Sequence, residues 1–277
     1  MRITVITSTL NCSDALRTTA SSIRAQTYRD VQWIVADGAS TDGTVQVIHD
    51  NSDIIGKWFS EPDSGVYDAW NKASAFIDGE WVLFLGAGDR LLSPGTVHAC
   101  VGKLKQLPPD VVIGYGDVLS FRGGRLVYRH GAVTLGALHC YKPATPCHQG
   151  VFQRADCFRR PQPFDQKYKV VADTKFMLES LKGRSMAHIG EEVSEMTTWG
   201  LSAHPTNAVK VMREFLRLER ELGYSLPVLG KIYYIASATL KSLMYRSLGG
   251  GAVHALVAVK QWLTNAAPKR RAYAPHG

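Results

Sequence analysis

Val31-Gln32-Trp33-Ile34-Val35-Ala36-Asp37 runs directly into Gly38-Ala39-Ser40-Thr41-Asp42-Gly43-Thr44, and this stretch decides the fold. Its first seven residues are a short, mostly apolar run rich in β-branched and aromatic side chains, which predicts a buried strand. The chain then bends on two glycines among acids and hydroxyls before a helix-period segment carries it to Asn51. A strand that turns on glycines and re-enters as a helix is half of a βαβ unit. In open α/β sheets the carboxyl edge of such strands is where ligands bind.

The same alternation holds on both sides. Strands are expected at Ile3–Thr7, Val31–Asp37, Lys57–Ser60 and Trp81–Leu85, with helices at Asp14–Gln26 (opened by Ser13 as a cap), Gly43–Asn51 and Val66–Phe76 between them. The expected class is therefore α/β, with a mainly parallel central sheet flanked by helices. Past Val111 the pattern becomes β-rich, with runs at Val111–Leu119 and Arg125–Tyr128 joined at Arg122-Gly123-Gly124, and a short strand at Val151–Arg154. Helices follow at Asp173–Lys182, whose acidic first turn suits the helix dipole, and at about Ala203–Leu222. The segments Val228–Leu248 and Ala252–Leu263 are amphipathic and basic, separate at Gly249-Gly250-Gly251, and lead to the tail Pro268-Lys269-Arg270-Arg271.

Composition sets limits on function. At 277 residues, with 45% hydrophobic and 20% charged residues, the chain can bury a core without staples and is not a disordered protein. A net charge of +8 permits attraction to phosphates of nucleotides, nucleic acid or lipid without choosing among them. The basic residues are dispersed or C-terminal and no nucleic-acid module appears, so nucleic acid is not expected as a partner. Five cysteines without a C-x-x-C pair suit a reducing cytoplasm. Met1-Arg2 leads straight into a strand-like run, and no apolar stretch reaches membrane-span length, so cytoplasmic action is expected.

Three strand-end clusters carry the chemistry. The loop Asp37–Thr44 sets two carboxylates and two hydroxyls beside a helix start, able to bond a ribose or base and to offer free N–H groups to an anion. It is not the G-x-G-x-x-G of dinucleotide folds, which discounts a dehydrogenase. The second cluster is Ser60-Glu61-Pro62-Asp63-Ser64-Gly65-Val66-Tyr67-Asp68-Ala69-Trp70-Asn71-Lys72-Ala73, where helical spacing predicts Asp68, Asn71 and Lys72 on one face. The third is Gly86-Ala87-Gly88-Asp89, whose acid can hold Mg²⁺ or Mn²⁺ against a diphosphate. His139, Cys140, Cys147 and His148 have the residue types of a zinc site, but their spacing fits no familiar zinc pattern.

In this order the clusters resemble the family 2 glycosyltransferases of the GT-A fold, especially bacterial members that build surface polysaccharides. The likeness runs through Ile3–Thr7, Ser22-Ile23, Gln26-Thr27-Tyr28, Asp37–Thr44, Glu61–Lys72 and Phe84–Asp89, and resumes more faintly at His148-Gln149-Gly150-Val151-Phe152 and Val170-Val171-Ala172-Asp173. The resemblance implies a Rossmann-like catalytic domain over residues 1–200, with a nucleotide-sugar donor half at 1–110 and an acceptor half at 111–200, and a helical extension with a basic tail at 201–277. It implies donor contacts from Thr7, Asn11, Asp37, Ser40, Asp63, Asp68, Asn71 and Lys72, a divalent cation on Asp89, acceptor contacts from His148 and Gln149, and Asp173 as catalytic base.

Many members carry two acids at the metal motif, whereas here Ala87 and Gly88 precede a single one. The implied reaction is inverting transfer from a UDP-sugar to a hydroxyl of a glycan or polyprenyl-linked acceptor, and the C-terminal helices would then face an anionic membrane on the inner side of the plasma membrane or pack on the catalytic domain. The competing readings are a sugar nucleotidyltransferase, which would release diphosphate, and a non-catalytic nucleotide-sugar scaffold.

Overall fold

The computed structural model describes residues 1–122, 124–133, 138–139, 142–197, 204–223, 228 and 230–247. The chain divides into two compact units, Met1–Gly200 and Leu201–Gly277. The sequence segments Gly249–Gly251, Ala252–Leu263 and Pro268–Arg271 lie outside the described residues, as does Cys140.

In the first unit, β1 (Ile3–Thr9), α1 (Ser13–Arg24), β2 (Val31–Asp37), α2 (Thr44–Asp50), β3 (Lys57–Ser60), α3 (Val66–Ser74) and β4 (Trp81–Phe84) alternate as the sequence predicts. There follow β5 (Arg90–Leu91), α4 (Thr96–Leu104), β6 (Val111–Arg122), β7 (Arg125–His130), β8 (Leu138–His139), β9 (Lys142–Pro143), β10 (Val151–Arg154), α5 (Ala172–Ser180) and β11 (Ser185–Thr197). The main sheet has the order β3-β2-β1-β4-β10-β6-β11-β5, with β7 paired to β6 as a hairpin and β8 and β9 forming a separate pair.

The first four strands of that order are mutually parallel. Direction reverses at β10, which runs antiparallel to both β4 and β6, while β6 and β11 are parallel again. The reversal matters for the site. The chain enters β10 at the same sheet edge where it leaves β4, so the turn His148–Gly150 arrives beside Gly86–Asp89.

One sheet face packs Ile3, Val5, Trp33, Val35, Trp81 and Leu83 against Leu16, Ala20 and Ile23 of α1, Val47 and Ile48 of α2, and the Val97, Cys100, Val101, Leu104 stripe of α4. The opposite face carries an aromatic layer in which Trp70 meets Phe84 at 4.5 Å, and Phe158 and Phe164 each meet Phe176 at 4.8 Å. Pairs of this kind contribute about 0.5–1.5 kcal/mol each beyond their burial. Together they bind α3, β4 and α5 into one wall.

Several boundaries differ from the sequence expectation. Ser13 is the first helical residue of α1 and does not cap it; the cap position is Cys12, and Ser13 N donates to Asp42 Oδ2 at 3.2 Å. Asp42 also receives Thr44 N at 2.8 Å, so one carboxylate serves the starts of two helices. Helix α4 and strands β5 and β11 have no counterpart among the expected elements. Among the described residues four cysteines are free.

In the second unit, Pro205–Asn207 form a 3₁₀ turn that leads into α6 (Ala208–Leu222), and residues 230–247 are helical. The expected helix start at Ala203 lies outside the described residues. Among the described residues, no helix is long and apolar enough to cross a membrane.

Candidate active site

The loop after β2 is held by its own acid. Asp37 is 1% exposed, and its carboxylate accepts from Thr9 Oγ1 (2.9 Å), Ser40 N (2.9 Å), Ser40 Oγ and Ser60 Oγ (2.6 Å). Burial pushes this carboxyl up, but the bonds from Ser40, Ser60 and Thr9 outweigh it and hold Asp37 below the usual carboxylate range. Asn11 pins the neighbouring loop: its N–H donates to Ser40 Oγ at 2.8 Å and its Oδ1 accepts from Thr41 N at 2.8 Å. Asn11 and Ala39 both sit at positive φ, 48° and 61°. For alanine that conformation costs on the order of 1 kcal/mol and persists because the bonds around it fix the loop. Thr7 lies beneath this layer, fully buried, with its hydroxyl accepting from Trp33 Nε1 at 3.0 Å.

Asp63 leans over this loop from the start of the next unit. A Cβ on Gly38 would lie 2.6 Å from Asp63 Oδ2, so the glycine leaves room for that carboxylate over the loop. Gly65 N donates to Asp63 Oδ1 at 2.8 Å.

Along α3 the three expected residues take different partners. Asp68 accepts from Ser64 N and Gln166 Nε2, both at 3.0 Å. The Ser64 bond is the largest influence holding it below the usual carboxylate range, with Lys72 and Gln166 adding to it. Lys72 pairs with Glu61 at 2.9 Å and Asp68 at 3.6 Å and donates to Pro62 O at 3.0 Å. Asn71 is 8% exposed, with Nδ2 donating to Phe164 O and Oδ1 accepting from Phe164 N, both at 2.8 Å.

The i+3 position thus falls on the buried side of the helix. Asn71 clasps the backbone of a distant segment, and the clasp uses both ends of its amide. Asn71→Ala strands both Phe164 backbone groups and is expected to cost roughly 2–4 kcal/mol in urea unfolding.

Asp89 sits at the end of the Gly86–Gly88 turn, 9% exposed. A Cβ on Gly86 would come within 2.7 Å of Asp89 Oδ2, so the glycine makes room for the carboxylate. Thr19 Oγ1 of α1 donates to Asp89 O at 2.8 Å and accepts from Gly88 N at 3.0 Å, fixing the turn from below. Burial raises the Asp89 carboxyl from 3.8 to about 7 against the opposing bonds from Gly86 and Gln149.

The 3₁₀ turn before β10 brings Gln149 to Asp89 and inserts His148 into the aromatic layer, 5.1 Å from Phe84 and 5.0 Å from Trp70. Burial holds His148 below the ordinary imidazole value, opposed by the Asp173 charge. Its Nε2 is buried without a hydrogen-bond partner among the described residues. Cys147 bonds Gln149 Oε1 at 3.2 Å; burial pushes its thiol up to about 12, and the charges of Asp89 and Asp173 add to that rise.

Asp173 opens α5 and accepts from Tyr67 Oη at 3.0 Å, while Tyr67 Oη also donates to Val170 O at 2.7 Å. Tyr67 and Trp70 stand inside the sequence motif, but neither was expected to act at the site. Their spacing is ordinary for a helix, and only tertiary packing brings Tyr67 to residue 173. Gln166 carried no sequence signal of its own, and Cys147 stood out only among residues of zinc-ligating type.

The donor set sets limits on a cation. Among the described residues, no three His, Cys, Asp or Glu side chains gather as a ligand group. Asp89 is a desolvated carboxylate whose shift includes no contribution from a cationic side chain. That suits a cation held by one protein carboxylate together with ligand oxygens and waters, an arrangement Mg²⁺ tolerates.

Comparison with known proteins agrees with this architecture. Residues 4–145 match the model of glycosyl transferase family 2. A PGL/p-HBAD biosynthesis glycosyltransferase of Mycobacterium bovis (strain BCG / Pasteur 1173P2) is 35% identical over 182 residues, covering 62% of this chain and 66% of that relative. Among solved structures, S. aureus TarS 1–349 in complex with UDP-GlcNAc superposes with a TM-score of 0.60 at 15% identity, over 89% of this chain and 73% of that one. The mannosyltransferase PcManGT of Pyrobaculum calidifontis, in complex with GDP-Man and Mn²⁺, gives a TM-score of 0.60 at 18% identity, over 97% and 82%. The chain therefore belongs to glycosyl transferase family 2, the glycosyltransferases built on the GT-A fold.

Proposed function

We propose that the protein is an inverting glycosyltransferase that moves a sugar from a nucleoside-diphosphate sugar, with UDP as the nucleotide, to a hydroxyl of a glycan or polyprenyl-linked acceptor. The observation that carries this reading is that the turn before β10 seats His148 on Trp70 and Phe84 and Gln149 beside Asp89, while Tyr67, on the same helix as Trp70, holds Asp173. The two acids are far apart in sequence and differ in setting: Asp89 is desolvated, whereas Asp173 is half-buried and bonded to a phenol. Solved structures of the same fold in complex with UDP-GlcNAc and GDP-Man support a sugar nucleotide as the donor class.

In this reading the loops at Asn11, Asp37–Thr41 and Asp63 form the nucleoside side of the site, with Asp37 shaping the loop from within. Asp68 and Lys72 hold the Glu61–Ser64 segment against them. Asp89 would hold a divalent cation, Mg²⁺ or Mn²⁺, which when bound offsets the charge that builds on the departing diphosphate. Asp173 takes the proton of the acceptor hydroxyl as that oxygen attacks the anomeric carbon from the side opposite the leaving group, which inverts the configuration. The unpartnered His148 Nε2 and the Gln149 amide are the polar groups offered to an acceptor.

Tyr67 positions the base. Its phenol has one proton and two oxygen neighbours, Asp173 Oδ1 and Val170 O. While Asp173 is a carboxylate the proton can serve it; once Asp173 is protonated, its own O–H can donate to the phenol oxygen and the phenol proton turns to Val170 O. Tyr67→Phe is expected to lower kcat about ten- to a hundredfold with the donor KM within about twofold of wild type, in steady-state transfer assays.

The overall reading is tested by thermal shift with UDP-, GDP- and dTDP-sugars, each with and without Mn²⁺. A selective rise with a UDP-sugar is expected, equivalent to about 2.7 kcal/mol at a hundred times Kd. A rise with another nucleotide would replace uridine, and no rise with any of them would remove the donor site.

A further inference from the structure

The helix at 230–247 turns its apolar side outward. Ile232 (58% exposed), Leu240 (50%) and Leu243 (56%) lie at helical spacing with Tyr233, Ile235, Ala236 and Thr239, all exposed, and Val228 continues the stripe at 71%. The hydroxyl of Thr239, the polar group in the middle of that face, is already satisfied by donation to Ile235 O at 2.9 Å, so covering the stripe would strand no donor there. Lys231 at the helix start is engaged by Glu219 at 2.6 Å, and Arg246 is exposed at the other end.

Charge supplies the second observation. From residue 222 to residue 277 the sequence holds Lys231, Lys241, Arg246, Lys260, Lys269, Arg270 and Arg271 and no aspartate or glutamate. That stretch therefore carries seven of the chain's formal +8 charges, and the preceding 221 residues are close to neutral. A protein partner could cover an apolar stripe, but an apolar stripe within a long acid-free basic stretch fits a surface that is greasy beneath and negative above.

We infer that the exposed face of helix 230–247 docks on an anionic lipid surface, with Ile232, Leu240 and Leu243 entering the acyl boundary and the basic residues meeting the headgroups. This goes beyond the transferase reading and does not depend on it.

The test is co-sedimentation of the full chain with phosphatidylcholine vesicles, with and without phosphatidylglycerol. Wild type is expected to pellet with the anionic vesicles, to stay in the supernatant with the neutral ones, and to be released by salt. Leu240→Glu/Leu243→Glu, at positions already half exposed, is expected to lower the partition coefficient by about tenfold or more. Arg246→Gln is expected to lower it several-fold on anionic vesicles. Failure of the wild type to bind anionic vesicles overturns the inference, as does undiminished binding by the Leu240→Glu/Leu243→Glu chain. A dimer in sedimentation velocity that those two substitutions dissolve would also overturn it, assigning the face to a second copy. The assay contains no sugar donor, so its failure leaves transfer to a soluble acceptor as a separate question.

Discussion

Asp173→Asn is expected to lower sugar transfer by about 10²–10⁴-fold, the range that a positioned general base contributes, while the Kd for the nucleotide stays near wild type. The substitution is nearly isosteric, and an asparagine Oδ1 can still accept from Tyr67, so the start of α5 keeps its bond to α3. What is lost is the ability to take a proton. The loops proposed to hold the nucleoside lie at the ends of β1, β2 and β3 and are bonded among themselves, so calorimetry of nucleotide binding should not register the change. Single-turnover transfer and calorimetry on the same sample separate the outcomes: retained turnover removes Asp173 from the base role, and a parallel loss of nucleotide affinity makes the residue structural.

Asp89→Asn is expected to cost activity and to raise stability together. Transfer should fall about a hundredfold or more, with loss of the response to divalent ions. Stability follows from proton linkage. Asp89 titrates near 3.8 in the unfolded chain and at about 7 in the folded one. Between those values the folded state keeps a proton that the unfolded state has released, so its favourable contribution is complete below about pH 4 and is lost as pH rises through about 7. The difference corresponds to about 4 kcal/mol above pH 7. Asparagine does not titrate, so urea unfolding should show the variant and wild type converging near pH 4 and the variant more stable at pH 8. Mn²⁺ with a nucleotide sugar should recover part of the difference for wild type alone. Equal stability at pH 8 would mean that Asp89 is not held desolvated.

The first four strands were legible because their signals are local. The loops after β2 and β3 are glycine-bent and acidic, and the strands at Val31–Asp37 and Lys57–Ser60 match the expected bounds, as does Val151–Arg154 further along. The elements that were missed lack such signals. Strand β11 changes register around Gly190–Glu192, so its alternation shifts phase midway and no single period fits. Helix α4 has a four-residue apolar stripe but follows Ser93-Pro94-Gly95, which reads as loop. At the site, the Asn71 clasp and the Tyr67 bond span sequence separations of 93 and 106, and helical spacing alone cannot say which partner a side chain will meet across such a distance.

The reversal of strand direction at β10 also bears on how the chain is made. Strand β4 pairs with β1 on one side and with β10 on the other, and β10 begins at residue 151. During synthesis β1 to β4 can assemble as a parallel sheet well before that strand emerges, leaving Trp81–Phe84 with a bare apolar edge for the interval. An unpaired edge of this kind recruits other chains, so the window between residues 84 and 154 is where a nascent molecule is most exposed to aggregation. Rapid arrival of Val151–Arg154 closes it.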